Sequence, residues 1–339
     1  MTDVNQVQDL RIGCTSGRPR PVLTIAVPTC NDFDSCSQTM VNLVNQLGPD
    51  LSEVEFVVVD NAPTTGHGHD THAMATKKLP NCHYVSFGPR QATFASKQVC
   101  IEAAQTEWVM VMDSHILLAD GALKKLLRFI KEIGPSNDLF HGPICTERWD
   151  IFGTHMNPAL GDGNFGRWGS YRTPEGLVID NCECYKIPMH GMGLFICRRD
   201  TWPGFNPALF QFGSEEGYIH EKYRLLGRDC WTIPFMKWWH RFRDKSKRFQ
   251  YTLSNEHKYR NYQIAWTEVG LPLAMVEHVL GGIPEEVRKA IREDVAKLKI
   301  RPMAKPDGYV PFMGYPMRVL NANQPHLENY REFEKPVFA

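Results

Sequence analysis

The sequence predicts an α/β protein with a mostly parallel central sheet flanked by helices and a helical extension at its C-terminal end. Three observations support this. Short β-branched apolar runs alternate with helix-length segments over the first 130 residues. Several of those runs stop on a proline or an acid, as buried parallel strands do where they enter functional loops. Beyond about residue 255 the pattern becomes helical, clearest in "PEEVRKAIREDVAKLKI", before an irregular tail rich in Pro and Asn.

The first strand lies in "PVLTIAVPTCND" (21 to 32), a β-branched core closed by Pro28 and polar residues. The helix-like "TMVNLVNQL" follows, then a second strand in "EVEFVVVDNAP", ending on Asp60 and Asn61. "GHGHDTH" (66 to 72) has the composition of a metal tract, but alternating Gly and His after a strand reads better as a surface loop. "HYVSF" gives a third strand, "QATFASKQVCIEAA" a helix, and "WVMVMDSH" a fourth strand. Side chains alternate along a strand, so Asp113 and His115 project to one side with Ser114 between them. Asp120 is a natural N-cap for "GALKKLLRFIKEI".

From 140 to 212 the chain is rich in Gly, Pro and aromatics. "MHGMGLFICRRDTW" predicts an apolar strand behind glycines. "FGSEEGYIHEKYRLLGRD" predicts a helix capped by Ser214 and ended by Gly227, and "CWTIPFMKWWHRFRDKSKRF" a strand reaching His240 and then a basic stretch.

The 38 basic and 38 acidic side chains cancel, which excludes a global field selecting nucleic acid, membrane or an acidic partner. No apolar segment approaches the roughly 18 residues of a membrane span, and no charged start precedes an apolar stretch, so a cytoplasmic protein is expected. The ten cysteines are scattered, without zinc or redox spacing, and are expected to be mostly reduced and buried. The expected organisation is an N-terminal extension (1–20), a main domain (21–250, with a nucleotide-binding half to 120 and an acceptor half beyond) and a helical extension with its tail (251–339).

Taken in order, these segments resemble the family 2-like nucleotide-sugar glycosyltransferases of GT-A fold, over about residues 20 to 245. "LTIAVPTCND" resembles that family's first strand and nucleotide loop, and "FVVVDNAP" its second strand with an acid for the uridine. "GPRQATFASKQVCIEAA" resembles the loop and helix under the nucleotide, "HGMGLFICRRDTW" the acceptor-side strand, and "GSEEGYIHEKYRLLGRD" the acidic helix start. "MDSH" stands where the family carries its metal-binding Asp-x-Asp. The Asp-x-His form, with "HRFR" at 240 to 243, is similar to polypeptide N-acetylgalactosaminyltransferases. "EEGYIHEK" and "HRF" also resemble bacterial and phage glycosyltransferases suspected of modifying hydroxymethylated DNA bases.

The resemblance implies a UDP-sugar donor, a hydroxyl acceptor with a modified DNA base among the candidates, and a divalent ion held by Asp113, His115 and His240. One carboxylate with two imidazoles suits Mn²⁺, with Mg²⁺ second. It places Asp60 and Asn61 at the uracil or ribose, Pro28 and Thr29 in the base pocket, and Arg90 and Lys97 near ribose or phosphate, unless these two are solvated surface charges. Asp113 and Ser114 stand at the diphosphate, and Arg243 sits in a basic lid over it. His190 and Gly191 form an acceptor-side wall, unless they simply pack a tight strand. Glu216, with Glu215 beside it, is the general base of an inverting reaction or orients sugar hydroxyls in a retaining one, although acids in a first turn also follow from the helix dipole. The basic run could instead track a nucleic-acid backbone. A sugar-phosphate nucleotidyltransferase would need a Gly-rich phosphate loop after the first strand, where "VPTCND" stands instead. A non-catalytic nucleotide-binding protein of the same fold is the other alternative.

Overall fold

The computed structural model describes residues 20–88, 93–158, 165–170, 184–241 and 254–311. The first half runs β1 (Leu23–Thr29), α1 (Phe33–Leu47), β2 (Val54–Asp60), α2 (Gly66–Lys77), β3 (Cys82–Ser86), α3 (Thr93–Ala103), β4 (Trp108–Met112), β5 (Ile116–Leu118) and α4 (Ala122–Glu132). The short strands β6 (Leu139–His141), β7 (Ile144–Cys145), β8 (Ile151–Gly153), β9 (His155–Asn157), β10 (Arg167–Gly169) and β11 (Tyr185–Lys186) follow. Then come β12 (Leu194–Arg198), α5 (Glu215–Leu225), β13 (Cys230–Thr232), β14 (Trp238–His240), α6 (Asn255–Val269), α7 (Leu273–Val279) and α8 (Glu285–Lys297).

Eight strands form the main sheet in the order β11-β13-β6-β12-β4-β1-β2-β3. It is parallel through β4, β1, β2 and β3, as the alternating sequence predicts. Past β4 it turns mixed, because β12 enters antiparallel and lies between β4 and β6. β1, β2 and β4 are buried along almost their whole length, which explains their continuous apolar sequences. One face packs on α1 and α4, with Met40, Leu43, Leu123, Leu126 and Phe129 in the core. The other face packs on α3, α5 and the C-terminal helices through residues such as Phe94, Ile219, Tyr223 and Trp266.

Two local expectations change. "GHGHDTH" is not a loop but the body of α2, whose N-cap Thr65 accepts from the Gly68 amide at 3.0 Å. Gly68 is required there, since a Cβ would lie 2.3 Å from the Ala62 carbonyl. Asp120 does not cap α4. Gly121 takes that place with φ +76, a conformation that suits glycine. Ser214 does stand at the N-cap of α5, but its side chain makes no capping bond, and Gly227 follows the helix end with φ +70 as expected. Cys36, Cys100, Cys145, Cys197 and Cys230 are buried. Among the described residues no helix is long and apolar enough to cross a membrane.

A second sheet, β5-β14-β7-β8, stands beside the first. β14 pairs antiparallel with β5, setting His240 opposite Ile116, and parallel with β7. Its approach depends on Gly142, between β6 and β7: a Cβ at that position would lie 1.7 Å from the Met236 carbonyl. The Trp238 indole also donates to the Gly142 carbonyl at 2.8 Å. Gly142→Ala is therefore expected to lower stability by about 3 kcal/mol or more, as overpacking against backbone does. A urea unfolding midpoint equal to wild type would show that the junction has room.

Candidate active site

β4 ends at Met112, and the Asp113 amide still donates to the Gly193 carbonyl at 2.8 Å, continuing the pairing with β12 before the chain leaves the main sheet. After Ser114 and His115, β5 begins at Ile116, and β14 joins it from a distant part of the sequence. The Arg241 amide donates to the His115 carbonyl at 3.0 Å, closing the β5 and β14 ends together. The imidazoles of His115 and His240 thereby meet, Nε2 to Nε2 at 3.1 Å, with ring centroids 4.6 Å apart and planes at 87°. Asp113 completes a group whose ligand atoms all lie within 4.8 Å of one another.

This group fits a divalent cation. Two nitrogens bound at about 2.1 Å and at right angles about one ion stand about 3.0 Å apart, close to the spacing seen. Burial first, then the neighbouring His115, lowers His240 to about 4, so at neutral pH it carries the neutral form that ligates metals. Burial would raise Asp113, but Lys97 and the two imidazoles override it and hold the carboxyl below its ordinary value. One hard oxygen and two imidazoles make a mixed set suited to an ion of intermediate softness such as Mn²⁺.

Lys97, the cation expected near ribose or phosphate, turns inward beside the metal-binding group. α3 buries it, 2% exposed, where its ammonium donates to the Met192 carbonyl at 2.7 Å and stands 3.4 Å from Asp113 Oδ1. Burial works against its charge, but Asp113, Glu215 and Glu216 outweigh that and raise its affinity for the proton. One buried cation thus serves three carboxylates. Glu215 and Glu216 open α5, and the Glu215 carboxylate already accepts from the Gly213 amide at 2.9 Å. Burial, then Glu216, pushes Glu215 up to about 8 against the pull of Lys97, and burial raises Glu216 as well.

His190 does not face a cleft: it is wholly buried, and the packing reading applies to it and to Gly191. Its ring stacks on His141 at 4.7 Å, and His141 stacks on His220 at 4.9 Å. His220 Nε2 accepts from the His190 amide at 2.9 Å, while its Nδ1 donates to the Glu216 carbonyl. The glycines make room for indoles: a Cβ on Gly191 would touch Trp168 at 3.0 Å, and one on Gly193 would touch Trp238 at 3.1 Å and Asp113 at 3.3 Å. The histidine stack was missed in the sequence because its members are scattered, and nothing local marks them.

At the other strand ends, Asp60 is 1% exposed and accepts from the Ala62 amide at 2.8 Å and the Tyr84 hydroxyl at 2.9 Å. Its carboxylate is thus built into the turn, with lone pairs left over for a ligand. Asn61 ties the same ends together, its amide to the Thr29 carbonyl at 2.8 Å and its side chain to the Phe87 carbonyl at 2.8 Å. Pro28 is partly exposed and Thr29 buried. Ser114 is buried, and its carbonyl accepts from Thr39 at 2.8 Å. Arg90 and Arg243 lie outside the described residues. The basic run begins pinned, with Arg241 donating to the Ser35 carbonyl at 2.9 Å.

Known proteins share this architecture. A crystal structure of GalNAc-T7 with UDP, GalNAc and Mn²⁺ superimposes with a TM-score of 0.58 at 15% identity, over 85% of this chain and 56% of that one. The chain therefore spans little more than half the length of that relative. S. aureus TarS 1-349 in complex with UDP-GlcNAc gives a TM-score of 0.50 at 15% identity, over 81% of this chain and 71% of that one. At such identities the likeness concerns the fold. No curated protein sequence matches the chain. The sequence model for glycosyl transferase family 2 matches residues 24–200, more than half of the chain and all of the core from β1 to β12, so the protein belongs to that family.

Proposed function

We propose that the protein is a metal-dependent glycosyltransferase that moves a sugar from a UDP-sugar to a hydroxyl acceptor. The observation that carries this reading is the convergence of Asp113, His115 and His240 at the carboxyl end of the parallel strands, where open α/β sheets bind their ligands. Its support includes the fold shared with GalNAc-T7, whose crystal contains UDP and Mn²⁺. A bound divalent ion would neutralise the charge that develops on the diphosphate as the glycosidic bond breaks.

The chain's own residues divide the remaining work. Lys97 keeps Asp113 ionised inside the protein, so the carboxylate is ready as a ligand. Glu215 is occupied by the Gly213 amide, which leaves Glu216 as the carboxylate for the acceptor side. Glu216 takes the acceptor's proton in an inverting reaction, or holds a hydroxyl by hydrogen bond in a retaining one. For the acceptor we infer a 5-hydroxymethylpyrimidine base of DNA. This rests on the sequence likeness of "EEGYIHEK" and "HRF" to phage-type enzymes and on the basic stretch that begins at Arg241. Mass spectrometry of reactions with several UDP-sugars and hydroxymethylated DNA, beside glycan, protein and lipid acceptors, separates these cases. A product on another class alone would overturn the DNA reading and keep the transferase.

Thermal unfolding tests the donor half. Wild type is expected to be stabilised by UDP only together with Mn²⁺, by about 2.7 kcal/mol at a concentration 100 times the Kd. Asp113→Ala and His240→Ala are expected to lose that gain, and full stabilisation of both variants would remove the assigned site. Glu216→Gln is expected to lower kcat by about 100-fold or more with the donor KM within a few-fold. A kcat near wild type would exclude Glu216 from the chemistry. Glu215 also makes a pH-dependent contribution. Its folded pKa lies above its unfolded one, so the folded state holds the proton more tightly and stability falls as pH rises from about 4.5 to 8. Glu215→Gln is expected to flatten that part of the Tm profile and to be the more stable protein at pH 8. An unchanged slope would contradict the assignment.

A further inference from the structure

The acids of α5 are presented by an unusual piece of backbone. Gln211, Gly213 and Ser214, three of the four residues before Glu215, have φ of +55, +100 and +86. Residues other than glycine hold such angles only where their surroundings impose them. Here the restraint comes from α6, in the C-terminal extension whose role the sequence left unread. The fully buried Asn261 side chain accepts from the Phe210 amide at 2.9 Å and donates to the carbonyls of Phe210 at 2.6 Å and Phe212 at 3.2 Å. It pairs with the loop as a neighbouring strand would. One turn earlier His257 Nδ1 lies 2.6 Å from Gln211 Oε1, and Arg260, directly before Asn261, donates to the Ala208 carbonyl at 2.7 Å. The α3 end contributes as well, the Thr93 amide donating to the Gln211 carbonyl at 2.9 Å.

Lys258 lies on the same face of α6. Its stem runs over Gly213, where a Cβ would come within 2.9 Å of the Lys258 Cγ, and its charge acts on Glu216 and Glu215. α6 is anchored by Glu268, which accepts from Lys222 at 2.8 Å, Tyr218 at 2.7 Å and Asn206 at 2.7 Å. The bracket is therefore fixed to α5, the helix that bears the acids.

We propose that α6 completes the active site: Asn261 is a positioning residue that holds the 210–214 loop so that Glu216 faces the acceptor. This rests on the transferase reading for its effect on rate, but not for its effect on the loop.

The full chain carrying Asn261→Asp puts an oxygen against two carbonyls, and Asn261→Ser removes the bracket more gently if the first variant folds poorly. Hydrogen exchange is expected to speed at least about tenfold at the amides of residues 212–216 and to stay unchanged in β4 and β14. Unchanged exchange at 212–216 overturns the bracket, whatever the protein's activity. With the UDP-sugar that wild type hydrolyses fastest among UDP-glucose, UDP-galactose, UDP-GlcNAc and UDP-GalNAc, kcat is expected to fall at least about tenfold with KM within threefold. A lower Tm with kcat intact would reduce Asn261 to a structural tie. Failure of the transferase reading looks different, since wild type itself would then gain no stability from UDP with Mn²⁺.

Discussion

The pairing of β14 with β5 is the constraint on which the site depends. It carries His240 across 125 residues of sequence to within 3.1 Å of His115, next to the turn that presents Asp113. No single element could supply all three ligands, because β4 ends before them and β14 belongs to another sheet. The pairing is secured by backbone features with no obvious sequence signature: Gly142 under the Met236 carbonyl, the Trp238 indole on Gly142, and the Arg241 amide on His115.

Electrostatics explains why this cluster tolerates burial. Asp113, Glu215 and Glu216 share the attraction of one enclosed ammonium, Lys97, and an isolated carboxylate would cost far more to bury. The arrangement leaves the acids unequal. Asp113, with a cation and two imidazoles around it, stays ionised, while Glu215 is pushed up to about 8. Groups whose affinities for the proton are driven apart in one site commonly take different chemical parts. The metal-facing and acceptor-facing roles follow that division.

Much of this was legible in the sequence, for reasons that are physical. β1, β2 and β4 are buried on both faces, so their apolar runs had no competing reading, and Asp113 with His115 broke such a run where the strand leaves the sheet. His240 could be joined to them only through resemblance, since no local pattern marks a partner 125 residues away. Other side chains depended on packing that no window of sequence contains. Lys97 turns inward to Asp113, and His190 packs at one end of a buried row of stacked histidines whose middle member is His141. "GHGHDTH" lacked an apolar stripe, yet Thr65 and the close approach of Gly68 to Ala62 were enough to start a helix. α6 reads as a helix in the sequence, but nothing in it announced that Asn261 would bracket a loop some 50 residues earlier.

Crystals of the protein soaked with Mn²⁺ and UDP, measured on both sides of the manganese absorption edge, test the central claim most directly. The account expects one anomalous peak within about 2.4 Å of an Asp113 oxygen and of a ring nitrogen on both His115 and His240. A well-occupied peak elsewhere, with these three side chains pointing apart, would contradict it.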